Sequence, residues 1–201
     1  KHNITGLLVG VLRENKSGGA SSIQTSLPAR NIGLSGRFTY AYDGRYFVEA
    51  NFGYNGSERF AKNERFGFFP SIGAGWMISE EKFWNQDLKN IINKLKLKGT
   101  YGLVGNDNIG KWEDRFFYMS EVNLNGSGAN FNWGQDFERN VGTINMIRYR
   151  NEKIKWEIAQ KMNLGLEVGL FNIFDIQFDY FTEYRKNIFG ERQTIPYEMG
   201  F

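Results

Sequence analysis

Histidine, cysteine and closely paired carboxylates are what a chain of this size would use for acid–base, nucleophilic or metal chemistry. Here they are scarce or scattered. His2 is the only histidine, and there is no cysteine. A hydrolase triad needs an imidazole or a thiolate held by the fold, and a zinc site needs several such ligands. Neither can be assembled, and His2 reads as a polar residue at a strand end. The carboxylate clusters are Glu80-Glu81, Glu113-Asp114, and Asp136 with Glu138. Glycoside hydrolysis needs two carboxyl groups facing each other across a cleft, and nothing in these spacings opposes two of them. The first pair reads as acids in the first turn of a helix, the others as solvated loop charge. The run Asn106-Asp107-Asn108-Ile109-Gly110 is rich in oxygen donors, but it lacks the spacing and the late bidentate Glu of a calcium loop. It reads as a turn. No catalytic residue, metal ligand or cofactor is expected. The net charge of +3 is too small, and the cations too dispersed, for a nucleic-acid footprint.

Binding chemistry is better represented. Between Lys111 and Ile154 lie Trp112, Phe116, Phe117, Tyr118, Phe131, Trp133 and Phe137. Aromatic rings on a long loop can stack on sugar rings or close against a partner, or they can pack on one another and order the loop. Trp112, Phe116, Tyr118 and Trp133 are the candidates for substrate contact.

The elements that would carry these residues are strands. Leu34, Gly36, Phe38, Tyr40 and Tyr42 alternate with Ser35, Arg37, Thr39 and Ala41, which is the period of two expected of a sheet with unlike faces. Asp43-Gly44 then signals a two-residue hairpin. Tyr46, Val48, Ala50, Phe52 and Tyr54 repeat the pattern, as do Ile72, Ala74, Trp76 and Ile78, then Leu95, Leu97, Tyr101 and Leu103 against Lys94, Lys96 and Lys98. The longest run pairs Trp156, Ile158, Met162, Leu164, Leu166, Val168 and Leu170 with Glu157, Lys161, Asn163 and Glu167. After a turn at residues 171–174, Ile176, Phe178, Tyr180 and Tyr184 continue it, and residues 3–13 form a seventh strand.

Connections sort by end. One end has residues 43–44, 171–174 and a segment from Ser79 to Lys94, where Ser79-Glu80-Glu81 predicts the start of a short helix. The other end has residues 14–32, 56–70 and about 106–154. Short turns on one side and long loops on the other are the asymmetry of outer-membrane barrels. Several runs reach the roughly 9–11 residues that a tilted membrane strand needs. The 24 glycines against 3 prolines suit crowded strands, and an aromatic share of 16% suits interfacial belts. The expected fold class is all-β: an antiparallel transmembrane β-barrel segment of about seven strands of a larger barrel, with long loops on one side. No run of 18 apolar residues predicts a transmembrane helix.

Residues 42–84, YDGRYFVEANFGYNGSERFAKNERFGFFPSIGAGWMISEEKFW, resemble the barrel of SusC/RagA-like TonB-dependent transporters. That family carries Y-x-x-[RK]-Y, D-G-S-x-R-F, a W/F-G-x-F-P-S-x-[SG]-A-G-W stretch and I-S-E-E. Here Asn55 stands in place of the usual Asp, and Phe66 where Trp is frequent. LKLKGTYGLVGNDNIG at residues 95–110 is similar to the family's L-K-L-R-x-S-Y-G-x-x-G-N-x-x-I-G, and the stretch beginning KWEIAQKMNLGLEVGLF matches a third segment. Lys111 to Ile154 do not match. The resemblance implies a barrel of about 22 strands, of which residues 1–201 are one part. The plug domain and the remaining strands would lie elsewhere in a longer protein, since the chain begins at Lys1 already in a strand-like run. It also implies an outer-membrane location and import of glycans, peptides or similar nutrients. The implied partners are outer-membrane lipid, a SusD-like surface lipoprotein, and the TonB energising complex acting through the N-terminal part.

On this reading Val48, Phe52, Trp76, Leu164, Leu166 and Val168 face lipid. Arg59, Lys62 and Arg65 are solvated loop charges, with anionic lipopolysaccharide or substrate as their other possible contact. Two rival readings stand beside it. A soluble β-sheet carbohydrate-binding module would cover the Leu164/Leu166/Val168 face with a second sheet. An outer-membrane barrel enzyme would need catalytic groups that the chain does not offer.

Overall fold

The computed structural model describes residues 1–16, 18–19, 26–110, 116–135, 137 and 139–190. Nine strands account for most of them: β1 (His2–Asn15), β2 (Ala29–Tyr42), β3 (Tyr46–Ser57), β4 (Phe66–Met77), β5 (Ile92–Asn106), β6 (Glu121–Trp133), β7 (Arg139–Arg148), β8 (Glu157–Leu170) and β9 (Phe174–Lys186). Seven form one antiparallel sheet in the order β1-β2-β3-β4-β5-β8-β9, and β6 and β7 form a separate two-stranded ladder. The strands of the main sheet run 12 to 15 residues, long enough to cross a bilayer at a tilt.

Register turns the alternation of each strand into two continuous faces. Tyr40 pairs with Val48, Val48 with Ala74, Ala74 with Gly99, Gly99 with Leu164, and Leu164 with Tyr180. Directly opposed residues of an antiparallel pair point the same way. Val48, Phe52, Trp76, Leu164, Leu166 and Val168 therefore share one face with Ile4, Phe38, Ile72, Leu97 and Phe178. Among the described residues no second layer covers that face: Ile72 is 57% exposed, Leu164 50% and Phe178 63%. The opposite face carries Arg37, Glu49, Asn51, Lys96, Lys98, Asn163, Glu167 and Asp179. Inside the sheet, β1 and β9 each pair with one strand only.

The connections differ from expectation in three places. The β2–β3 link is one residue longer than predicted. Asp43 and Gly44 take positive φ (54° and 69°), Arg45 N–H donates to Tyr42 C=O at 3.0 Å, and pairing resumes at Tyr42–Tyr46. Arg45 is thus an extra residue beyond a tight turn, and its side chain is released from the ladder. The β8–β9 link is built alike, with Phe171 and Asn172 at φ 53° and 55°. The predicted helix does not start at Ser79. Ile78–Glu80 make a single 3-10 turn, Glu81 is extended, and α1 begins only at Gln86 (Gln86–Ile91). Glu81 is drawn back toward Arg45 and Trp76 rather than capping a helix. Finally, the stretch read as one long loop after β5 contains the β6–β7 hairpin. Its aromatic and Asn/Gly-rich sequence blurs the alternation that would have revealed it.

Candidate functional site

At the long-loop end, residues from four of the recognised motifs converge. Phe60, Phe69, Ile109, Phe117 and Trp156 form the buried cluster, with Ile154 and Ile158 packed against it. Phe60 comes from the N-G-S-E-R-F turn, Phe69 from F-F-P-S, Ile109 from N-D-N-I-G and Trp156 from K-W-E. The Trp156 ring lies 5.2 Å from both Phe60 and Phe69, and its Nε1–H donates to Arg65 C=O at 3.2 Å. Trp156 was expected on the apolar face at the head of β8. It stands one residue before that strand, is only 7% exposed, and belongs to this cluster instead.

Arg59 also departs from its expected role as a solvated charge. Its Nη1 donates to the C=O of Asp107 at 3.2 Å and of Ile109 at 3.0 Å. A guanidinium at this position satisfies carbonyls that a turn leaves unpaired, so one motif's arginine closes the next motif's loop. The only sequence signal for it was the co-occurrence of the two motifs. The β4–β5 pairing ends at Ser71–Gly102, and the Phe69 ring fills the space beyond, over Gly67 and Gly105.

Of the aromatic candidates, Phe116 and Tyr118 flank Phe117 of this cluster. Phe116 and Tyr118 are half-buried and meet edge to face at 6.0 Å. Between them Phe117 is buried, 4.9 Å from the Phe189 ring and 4.7 Å from the Arg148 guanidinium. Trp133 lies in β6. Trp112, Glu113, Asp114, Asp136 and Glu138 lie outside the described residues.

The polar face is a charged ladder. Glu167 accepts from Lys94 at 2.8 Å and from Lys98 at 3.2 Å, and Lys98 also reaches Asp179 at 3.4 Å. Lys98 crosses β8 at Gly165, where a Cβ would stand 2.2 Å from the lysine chain. Arg37 donates to Asn51 at 2.9 Å and lies 3.5 Å from Glu49. Between these clusters the face holds an open groove of about 630 Å³, lined by Thr39, Glu49, Asn51, Ser71, Lys98 and Thr100 among others. Each carboxylate named here is held by a cation or an amide, which suits a hydrophilic wall rather than proton transfer. Among the described residues no group of three or more potential metal ligands occurs.

At the short-turn end, aromatic rings form a row on the apolar face, tilted at its first pair and stacked at the next two. His2 lies 4.9 Å from Tyr42, Tyr42 6.3 Å from Tyr46, and Tyr46 6.5 Å from Trp76. His2 Nδ1 is also 2.9 Å from Tyr40 Oη. Below this row, Arg45 donates to Glu81 at 3.0 Å and to Asp43 at 2.8 Å, while Trp76 Nε1–H donates to Glu81 at 3.0 Å. The Tyr46 hydroxyl and the Trp76 indole hold the Glu81 carboxyl below its ordinary value, with Arg45 adding to the effect. The Y-x-x-R-Y and W-x-I-S-E-E motifs are thus one network read twice along the chain.

No family model matches the chain. It is 34% identical over 151 residues to the TonB-dependent receptor SusC of Bacteroides thetaiotaomicron, covering 74% of this chain and 14% of that protein. It is 29% identical over 187 residues to TonB-dependent receptor P3 of Formosa agariphila, covering 91% of this chain and 17% of that one. Its whole length superposes on part of the RagAB peptide transporter with a TM-score of 0.72, at 22% identity and over 23% of that chain. The chain is SusC/RagA-like. It is an outer-membrane β-barrel segment, and the likeness to RagAB concerns the fold. The segment spans less than a fifth of the curated relatives it matches. The SusC/RagA-like motifs are therefore the points where this stretch of barrel wall is tied at its two ends.

Proposed function

We propose that this chain is one stretch of the wall of a TonB-dependent transporter that imports glycans, peptides or similar nutrients across the outer membrane. The observation that carries the reading is the pairing of an uncovered apolar face with a charged opposite face over strands of membrane length. Val48, Phe52, Leu164, Leu166 and Val168 meet lipid, and Trp76 sits at the interfacial aromatic belt. Each large apolar side chain transferred from water contributes about 1.5–3 kcal/mol, so a face this extensive is built for a non-aqueous neighbour. The charged face lines the aqueous interior.

Residues 1–201 are a partial barrel domain, with the plug and further strands in other parts of the full-length protein. A SusD-like lipoprotein covers the long-loop end, and TonB acts through the N-terminal part. Trp112, Phe116, Tyr118 and Trp133 contribute rings to substrate capture. The protein works as a transporter and not as an enzyme. A soluble carbohydrate-binding sandwich is disfavoured, because among the described residues no sheet faces Leu97, Leu164 and Leu166.

The test is genetic and direct. Deleting the gene for the full-length protein should abolish growth on its glycan or peptide while sparing growth on monosaccharides, and deleting TonB should give the same pattern. Unaltered growth of the deletion strain on every glycan and peptide supplied would contradict the proposal.

A further inference from the structure

Where β1, β2 and β3 approach the long-loop end, their apolar face opens into a groove of about 460 Å³. Its walls are Leu12, Ile32 and Phe66. Leu12 pairs with Ile32, Ile32 with Gly56, and Gly56 with Phe66, so all three lie on the apolar face. They are accessible: Leu12 is 82% exposed and Phe66 48%. The upper rim is charged. Arg30 donates through Nε to Glu14 at 3.2 Å, Lys16 reaches the same carboxylate at 2.8 Å, and the Arg30 backbone N–H takes Glu58 at 3.2 Å. Arg13 and Arg65 also line the groove. Arg13 follows its partner Asn31 onto the other face, so Arg30, Lys16 and Arg65 are the three cations beside the two carboxylates. Arg65 Nε is buried with no hydrogen-bond partner among the described residues. The position of the groove is informative too. Phe66 stacks on Tyr54 at 5.2 Å and 9°, and such aromatics mark where hydrocarbon gives way to headgroups.

We propose that this groove binds a phosphorylated glycolipid of the outer leaflet. An acyl chain lies against Leu12, Ile32 and Phe66, and the phosphate meets Arg30 and Arg65. The arginine fork matches phosphate geometry, and the excess of positive charge supplies the attraction. Glu14 holds the Arg30 guanidinium through Nε, Glu58 holds the Arg30 backbone N–H, and the guanidinium's Nη groups are turned to the ligand. The site lies on the opposite side of the sheet from the charged interior. It therefore rests on the outer-membrane location and not on the identity of the nutrient.

The test uses the full-length protein in detergent, titrated with lipid A and with enzymatically dephosphorylated lipid A, and read by native mass spectrometry. Lipid A should bind at about tenfold lower concentration than the dephosphorylated lipid. Arg30→Gln with Arg65→Gln should bring the two within about twofold, whereas Arg37→Gln on the charged face should leave the preference intact. Millimolar inorganic phosphate should not displace the lipid. Equal binding of the two lipids by the unmodified protein would overturn the proposal, and that comparison stands even if the double variant does not fold. So would a full preference retained by a folded double variant. Displacement by free phosphate would also overturn it, because the groove would then be a simple anion site.

Discussion

Gly105 carries a hydrogen where any other residue would place a Cβ 2.0 Å from the Phe69 ring. That ring cannot retreat without leaving Trp156, so the cluster that ties the long-loop end depends on a missing methyl. Gly105→Ala in the full-length protein should cost about 1–3 kcal/mol through overpacking, measured as a lower denaturant midpoint in detergent. Gly6→Ala, with nothing within 4 Å of its Cβ position, should stay within about 0.5 kcal/mol. Glu81 gives a second residue-level prediction. Its folded pKa lies below the ordinary 4.5 because the Tyr46 hydroxyl, then Trp76 and Arg45, favour the carboxylate. A depressed acid contributes stability above its unfolded pKa and loses that contribution as pH falls through the folded value. The folded fraction should therefore decline below about pH 4.5, and Glu81→Gln should flatten that decline. An identical acid profile in the variant would remove Glu81 from the account. Neither the Arg59 cap nor the Glu81 network was legible in the sequence as geometry. Both join residues far apart along the chain (48 positions from Arg59 to Asp107, 36 from Arg45 to Glu81), and alternation reports only on neighbours.

Elements were more legible, because strand parity is local. The alternation from Leu34 through Tyr184 placed six strands of the main sheet and the faces of most of their residues, whereas residues 3–13, apolar on both faces, gave a seventh strand without a clear parity. It failed where side chains leave the ladder. Trp156 turns into the cluster just before β8, and Glu81 pairs with Arg45 instead of starting a helix. The β6–β7 hairpin was missed because Asn125-Gly126-Ser127-Gly128 interrupt any period. The sorting of connections by end predicts topology. With no native cysteine, Gly44→Cys and Gly126→Cys can be compared in whole cells carrying the full-length protein. An impermeant thiol reagent should label position 126 and spare position 44. Equal labelling would mean that the short turns do not face the periplasm.

At the scale of the whole molecule, seven strands with one uncovered apolar face and two open edges cannot be satisfied in water. Each edge presents unpaired N–H and C=O groups. The isolated 201-residue chain should therefore aggregate or require detergent, as followed by size-exclusion chromatography, and a cooperatively melting soluble monomer would favour a self-contained domain. The central claim is that one face meets lipid and the other water, and adjacent residues of β8 test it most directly. Leu164 lies near the middle of the apolar band, while Asn163 lies on the charged face beside Lys161 and Glu167. Arginine facing lipid near the midplane costs about 2–4 kcal/mol, whereas the interior tolerates charge. The measurement is heat-modifiable gel migration of the refolded full-length protein carrying Leu164→Arg or Asn163→Arg. Leu164→Arg should lose most of the compact, fast-migrating form, and Asn163→Arg should match the unmodified protein. If Asn163→Arg proves as damaging as Leu164→Arg, both faces are buried against protein and the membrane-spanning account is wrong.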